Sequence, residues 1–175
     1  MSRILRTSPR RIAASLCIAT ALFLGPGTSG SGTLLAFPLS LKFVTVKGAA
    51  TNTITELVPI NETTFQIKAQ QVGELTHFGN FTGAFSYIAT GTPQSIILIG
   101  EATLTNDQGE QLFLTALVVE VGADYPLTVT GTLFITGGTG RFANAAGTIT
   151  VTGMDEESPV DTFQLRGALL MPAWN

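Results

Sequence analysis

Residues 134–153, FITGGTGRFANAAGTITVTG, read as a strand, a glycine-rich corner, at most one turn of helix, and a second strand. Thr136-Gly137-Gly138-Thr139-Gly140 directly follows an extended apolar run, which on the page looks like a phosphate-binding turn. A dinucleotide site needs more: a glycine turn opening a full helix, a unit of roughly 30 residues with a second parallel strand, and an acid at its end. Here any helix begun at Arg141 is closed by Gly147, and Thr148-Ile149-Thr150-Val151-Thr152 alternates as a strand does. Only 28 residues follow Gly147, and nothing upstream repeats a βαβ pattern. The corner is therefore structural. Gly137, Gly138 and Gly140 allow positive φ, so a strand can leave the sheet sharply and return beside itself. In so short a turn the Phe142 ring has one task, to plug the end of an apolar interior, and Gly147 starts the chain on its way back.

The same pattern of strands and breaks extends on both sides. Leu39 to Val46 alternates and is expected as the first strand, followed by Thr63 to Ala69 after a turn at Asn61-Glu62. Val72 to Gly79 and Phe81 to Ile88 are strand-like, bent at Gly79-Asn80, and Thr90-Gly91-Thr92-Pro93 is a break. Ser95 to Thr105 and Glu110 to Val121 are the longest runs, joined by Asn106-Asp107-Gln108-Gly109, a hairpin turn by composition. Both runs are apolar on both faces, whereas a strand with one wet face would alternate. No helix is available to cover the outer face, so a second copy of the chain is the expected cover, in a homo-oligomer (trimer or dimer). Leu127 to Thr136, Gly147 to Gly153 and Asp161 to Leu170 complete the series, nine strand-like runs for an expected count of about eight short strands. Gly83, Gly100, Gly131 and Gly167 fall within strand-like runs, where the corners of a barrel need them. The expected fold is thus all-β: a closed eight-stranded antiparallel barrel with room for packed side chains or one small ligand.

Gly137-Gly138-Thr139-Gly140-x-Phe142, followed by Ala145-x-Gly147 and a Thr-rich strand, resembles the allene oxide cyclase and dirigent-like barrel superfamily. Two further pieces are similar, Gly100-Glu101-Ala102-Thr103-Leu104-Thr105-Asn106-Asp107-x-Gly109 and Leu75-Thr76-His77-Phe78-Gly79-Asn80-Phe81-Thr82. The pieces lie within residues 72–153, and the chain looks most like uncharacterised secreted bacterial members of that group. The resemblance implies an eight-stranded antiparallel barrel, often trimeric, with a cavity in some members. Allene oxide cyclases steer an unstable epoxide largely by shape, with a carboxylate assisting. No position here matches their glutamate, so the resemblance does not carry that activity over.

The first 32 residues are a separate object. Arg3, Arg6, Arg10 and Arg11 precede an apolar run from Ile12 to Leu24, and small residues from Gly25 to Gly32 then break it. That is the layout of a secretory signal, followed by a single domain over 33–175. The expected location is secreted or periplasmic, with membrane contact only through an uncleaved signal segment. Removing the leader takes four of the nine basic residues and none of the twelve acidic ones, leaving a net charge of −7. So acidic a chain repels phosphate backbones, which argues against nucleic acid as a partner. Cys17 lies in the leader's apolar core, so the remaining domain has no disulfide, thiolate nucleophile or cysteine metal site.

Candidate chemistry is sparse. His77 is the single histidine, which excludes a two-histidine metal site. Alternation puts it on the face of Leu75, opposite Glu74, Thr76 and Phe78, either as a buried or rim histidine hydrogen-bonded to a neighbour or as a polar group in a ligand cavity. Glu74 and Glu101 lie in strand-like segments; they are solvent-facing acids or barrel-interior carboxylates suited to acid–base work. His77, Glu74 and Glu101 are therefore the candidate ligand-binding residues, with no catalytic set, metal or cofactor assigned. Asp155-Glu156-Glu157 and Asp107 lack the spacing of a calcium loop, and no serine stands in a G-x-S-x-G setting. Two functions fit: a non-enzymatic barrel that binds a small apolar or aromatic ligand or acts as an oligomeric module, and a cyclase- or dirigent-like protein steering a reactive intermediate. The lining of the barrel separates them.

Overall fold

A computed structural model describes residues 40–173, apart from Pro93 and Pro159. The expected leader over 1–32 lies outside the described residues. Eight strands follow one another: β1 (Leu41–Asn61), β2 (Thr64–Leu75), β3 (Gly79–Thr92), β4 (Ser95–Asn106), β5 (Gln111–Val121), β6 (Leu127–Gly138), β7 (Ala146–Asp155) and β8 (Val160–Pro172). Each pairs antiparallel with the next, and β8 pairs back onto β1 to close the barrel. Among the described residues the one helical piece is a single 3-10 turn, Gly140–Phe142, between β6 and β7.

Period-two alternation turns every second side chain inward. On β5, Leu112, Leu114, Ala116 and Val118 are buried while Phe113, Thr115 and Leu117 between them face out. On β3 the inward row is Phe81, Gly83, Phe85, Tyr87 and Ala89. Glycine stands where neighbouring backbones approach too closely for a side chain: a Cβ on Gly100 would strike the Ser86 carbonyl oxygen across the β3–β4 pair.

One end of the cylinder is filled. Phe142 and Phe78 are fully buried, their rings edge to face with centroids 5.0 Å apart, and Phe81 lies 6.3 Å from Phe78. Leu104, Leu112, Ile149, Leu165 and Leu169 are likewise fully buried in the same apolar core. The glycine corner holds Phe142 there. Gly140 adopts φ 57°, a conformation that favours glycine, and a Cβ on it would crowd the Glu110 carboxylate. Glu110 in turn accepts from the Arg141 backbone N–H at 2.9 Å and from the Arg141 guanidinium at 2.8–3.1 Å. Buried Asn106 ties three turns together: Nδ2 donates to the Phe78 carbonyl and to Glu110, while Oδ1 accepts the N–H groups of Gln108 and Glu110.

Strand boundaries differ from the sequence expectation in two places. The runs 63–69 and 72–79 form one strand, β2, which ends at Leu75 in a turn over Thr76 to Phe78. The first strand, expected to end at Val46, continues to Asn61 through Gly48-Ala49-Ala50 and Pro59. β8 covers β1 only to Thr53, and residues 54–61 pair with β2 alone. The β1–β2 hairpin therefore overhangs the end opposite the aromatic floor.

Candidate ligand-binding site

The overhung end is open, and it holds a cavity of about 430 Å³. Inward positions of β2, β3 and β4 give it an apolar wall of Phe65, Ile67, Ala69, Ala89, Ile96 and Leu98, with Tyr87. β5, β7 and β8 give it Glu120, Asp155 and Asp161, with Phe163. Ile54 and Leu57 of the overhanging hairpin, Glu62 and Thr63 of its turn, and Tyr125 of the β5–β6 loop stand at the mouth. Asn52, Tyr87, Leu98, Glu120 and Phe163 also line a smaller chamber of about 40 Å³ reaching toward Val118, Val129 and Leu133. Tyr87 stacks on Phe85 at 5.5 Å between centroids, so these rings mark where the filled half begins.

The electrostatics of this end are one-sided. Burial, reinforced by Asp155 and Asp161, pushes the Glu120 carboxyl up to about 7. Asp161 is shifted upward as well, chiefly by burial, although it accepts a long hydrogen bond from the Glu156 N–H at 3.4 Å. The Tyr87 phenol is raised by burial and by Glu120, and the Tyr125 phenol by burial and then by Asp155. Asn52 stands directly across from Asp161 in the β1–β8 register, and its Oδ1 is shielded from water with no hydrogen-bond partner. It is an acceptor that a donor on a bound molecule can satisfy. At the other end of the barrel Glu110 shows the opposite behaviour, held down to about 2 by its hydrogen bonds from Arg141.

The residues singled out from sequence lie elsewhere. Glu74 is exposed, paired in register with Ala49 and Asn80 on the outer surface. Glu101 is exposed between Ser86 and Thr115, also outside. His77 is exposed at φ 70° in the turn after β2, because the sheet ends at Leu75 and the alternation that placed His77 beside it ends there too. None of the three lines the cavity. Of the corner residues, Phe142 is fully buried and Gly140 makes the positive-φ turn. Gly137 and Gly138 end β6 against Phe113 and Leu112, and Gly147 pairs with Ile135 and Leu169 at the start of β7. Sequence reasoning missed Glu120, although a signal was present. Counting inward from Leu112 in steps of two along β5 arrives at Glu120, an acid on the core face of an otherwise apolar row.

Compared with protein-family models and with curated proteins, the chain matches none. Among solved structures it is similar to a pterocarpan synthase dirigent protein, with 12% identity and a TM-score of 0.44, over 77% of this chain and 88% of that one.

Proposed function

We propose that this chain is a secreted or periplasmic barrel that binds one small, mostly apolar molecule in its open end, without chemistry of its own. The observation that carries the reading is the division of the interior: aromatic and aliphatic side chains fill one half, and the other keeps a walled cavity of about 430 Å³. That size falls within the ~300–1,000 Å³ of small-molecule pockets, and a mostly apolar lining with a few polar groups is their usual character. The leader pattern over 1–32 supports the location. A neutral environment-sensitive dye, N-phenyl-1-naphthylamine, tests it. One saturable site per barrel is expected, abolished by Ala89→Trp, which fills the cavity from an inward position on β3. No saturable site, or one untouched by a folded Ala89→Trp variant, would remove the reading.

A second reading, steering of a reactive intermediate, draws on Glu120, a cavity carboxyl balanced between its two protonation states near neutral pH. Recovery of a co-purifying ligand chemically unchanged after prolonged incubation favours binding alone; conversion that Glu120→Gln stops favours steering.

Self-association belongs to the same proposal. Ile88, Ile99 and Leu117 form one row across β3, β4 and β5 on the outer face, beside Ile97 and Val121, and all five are exposed. A contiguous apolar surface of this kind is what a second copy of the chain would cover.

A further inference from the structure

We infer that the cavity selects an organic cation, an ammonium-bearing molecule with an apolar body. This rests on the ligand-binding reading above and names the class of ligand. The acids of the lining are Glu62 from the hairpin turn, Glu120 from β5, Asp155 from β7 and Asp161 from β8. No lysine, arginine or histidine among the described residues joins them, and β2, β4 and β6 contribute no ionisable group. The ion pairs found among the described residues, Lys68 with Glu56 and Arg141 with Glu110, involve none of these acids.

Burial and, after it, the neighbouring carboxylates act in the same direction here. Glu120, Asp161, Tyr87 and Tyr125 all shift upward, burial leading in each case and neighbouring carboxylates adding to it. Each of these shifts disfavours negative charge, which a positive charge placed beside these groups offsets. A carboxylate or phosphate ligand would meet the opposite, repulsion with no cation to answer it.

The shape of the site excludes a bare ion. Among the described residues no three His, Cys, Asp or Glu side chains are grouped to hold a metal. Opposite the acids stand Phe65, Ile67 and Leu98, whose surface only an apolar body can use. The rings of Phe65, Tyr87 and Phe163 offer faces that attract a partly desolvated ammonium, and the unpartnered Asn52 Oδ1 offers an acceptor for its N–H. Together these describe an arylalkyl or alkyl amine, charged end toward β5 and β8, body toward β2 to β4.

Three probes sharing one body test the charge preference: 2-(1-naphthyl)ethylammonium, 2-(1-naphthyl)ethanol and 1-naphthylacetate, each titrated calorimetrically into the purified chain. At about pH 8 the ammonium should bind at least about tenfold more tightly than the alcohol, with no saturable binding of the carboxylate. That advantage should shrink as pH falls from about 8 to about 5 and Glu120 takes up its proton, and Glu120→Gln should lower the ratio of ammonium to alcohol affinity. If Glu120→Gln does not fold, Asp155→Asn at the mouth should narrow the same ratio. Equal affinity for alcohol and ammonium, or preference for the carboxylate, overturns the cation inference and leaves the cavity reading standing. Failure of all three probes to bind at millimolar concentration overturns both.

Discussion

Glu120 ends an inward row that begins Leu112, Leu114, Ala116, Val118, so the geometry of an apolar strand delivers a carboxylate to a half-dry site. Its pKa is raised to about 7, which means folding disfavours its ionised form. The sign follows: a raised acid leaves stability intact below its unfolded value and drains it as pH climbs through the folded one. Between about pH 5 and pH 8 the protein should lose about 2 kcal/mol from this group, allowing for residual solvent screening. Glu120→Gln should remove most of that slope, measured by urea denaturation at each pH; an unchanged slope would show that Glu120 is not held in this environment. Glu110 works in the other direction. Its lowered pKa gives stability above the usual carboxylate range that is lost as pH falls toward about 2. Two glutamates of one hairpin, ten residues apart, thus tilt the stability curve in opposite senses at opposite ends of the barrel.

The β4–β5 hairpin owes its stability to more than turn composition. Asn106 faces inward at the end of β4, and its carboxamide bonds the turn's own N–H groups and the Phe78 carbonyl of the preceding turn. Asn106→Ala leaves one buried carbonyl and two N–H groups without these partners, at a cost of about 2–3 kcal/mol. The loss should register in hydrogen exchange as selective loosening of the Gln108 and Glu110 amides and of the turn at Phe78. Truncating Arg141, half exposed beside Glu110, should cost no more than about 1 kcal/mol. Equal costs for the two would mean that the ion pair, not Asn106, secures this end. The turn at Asn106 to Gly109 was legible in the sequence because its residues declare it, with Gly109 at φ 76°. The turn at Thr76 to Phe78 was legible only through the bend expected at Gly79-Asn80, where Gly79 has φ 97°. Thr76, His77 and Phe78 do not themselves demand a turn, so the place where β2 ends was not legible, and His77 adopts its positive φ because β2 and β3 must meet there.

For the molecule as a whole, the outward faces of β3, β4 and β5 matter most. The long runs at 95–105 and 110–121 read as apolar on both sides; one side fills the barrel and the other is exposed at Ile97, Ile99, Leu117 and Val121. Light scattering at micromolar concentration should therefore report an oligomer, and Ile99→Lys, a charge at the centre of the row, should shift it to a monomer that still folds as a barrel. A wild-type monomer would remove the basis for that assembly. The open mouth is the other property of the whole. It arises because β8 stops covering β1 at Thr53 while the β1–β2 hairpin runs on, leaving one end to be walled rather than filled.

Eight antiparallel strands and the plug at Phe142 follow from local chemistry: alternation, turn residues and a glycine corner too short for a helix. These signals sit within a few neighbouring residues, so the chain alone carries them. The cavity does not arise that way. Asn52, Tyr87, Glu120, Asp155 and Asp161 come from five different strands, and they converge because closure and register bring five inward rows to one rim. Glu74, His77 and Glu101 looked equally chemical in one dimension and ended outside the barrel. Which polar residues share a site depends on strand register and strand ends, and those are settled by packing between segments distant in sequence, beyond the reach of any local pattern.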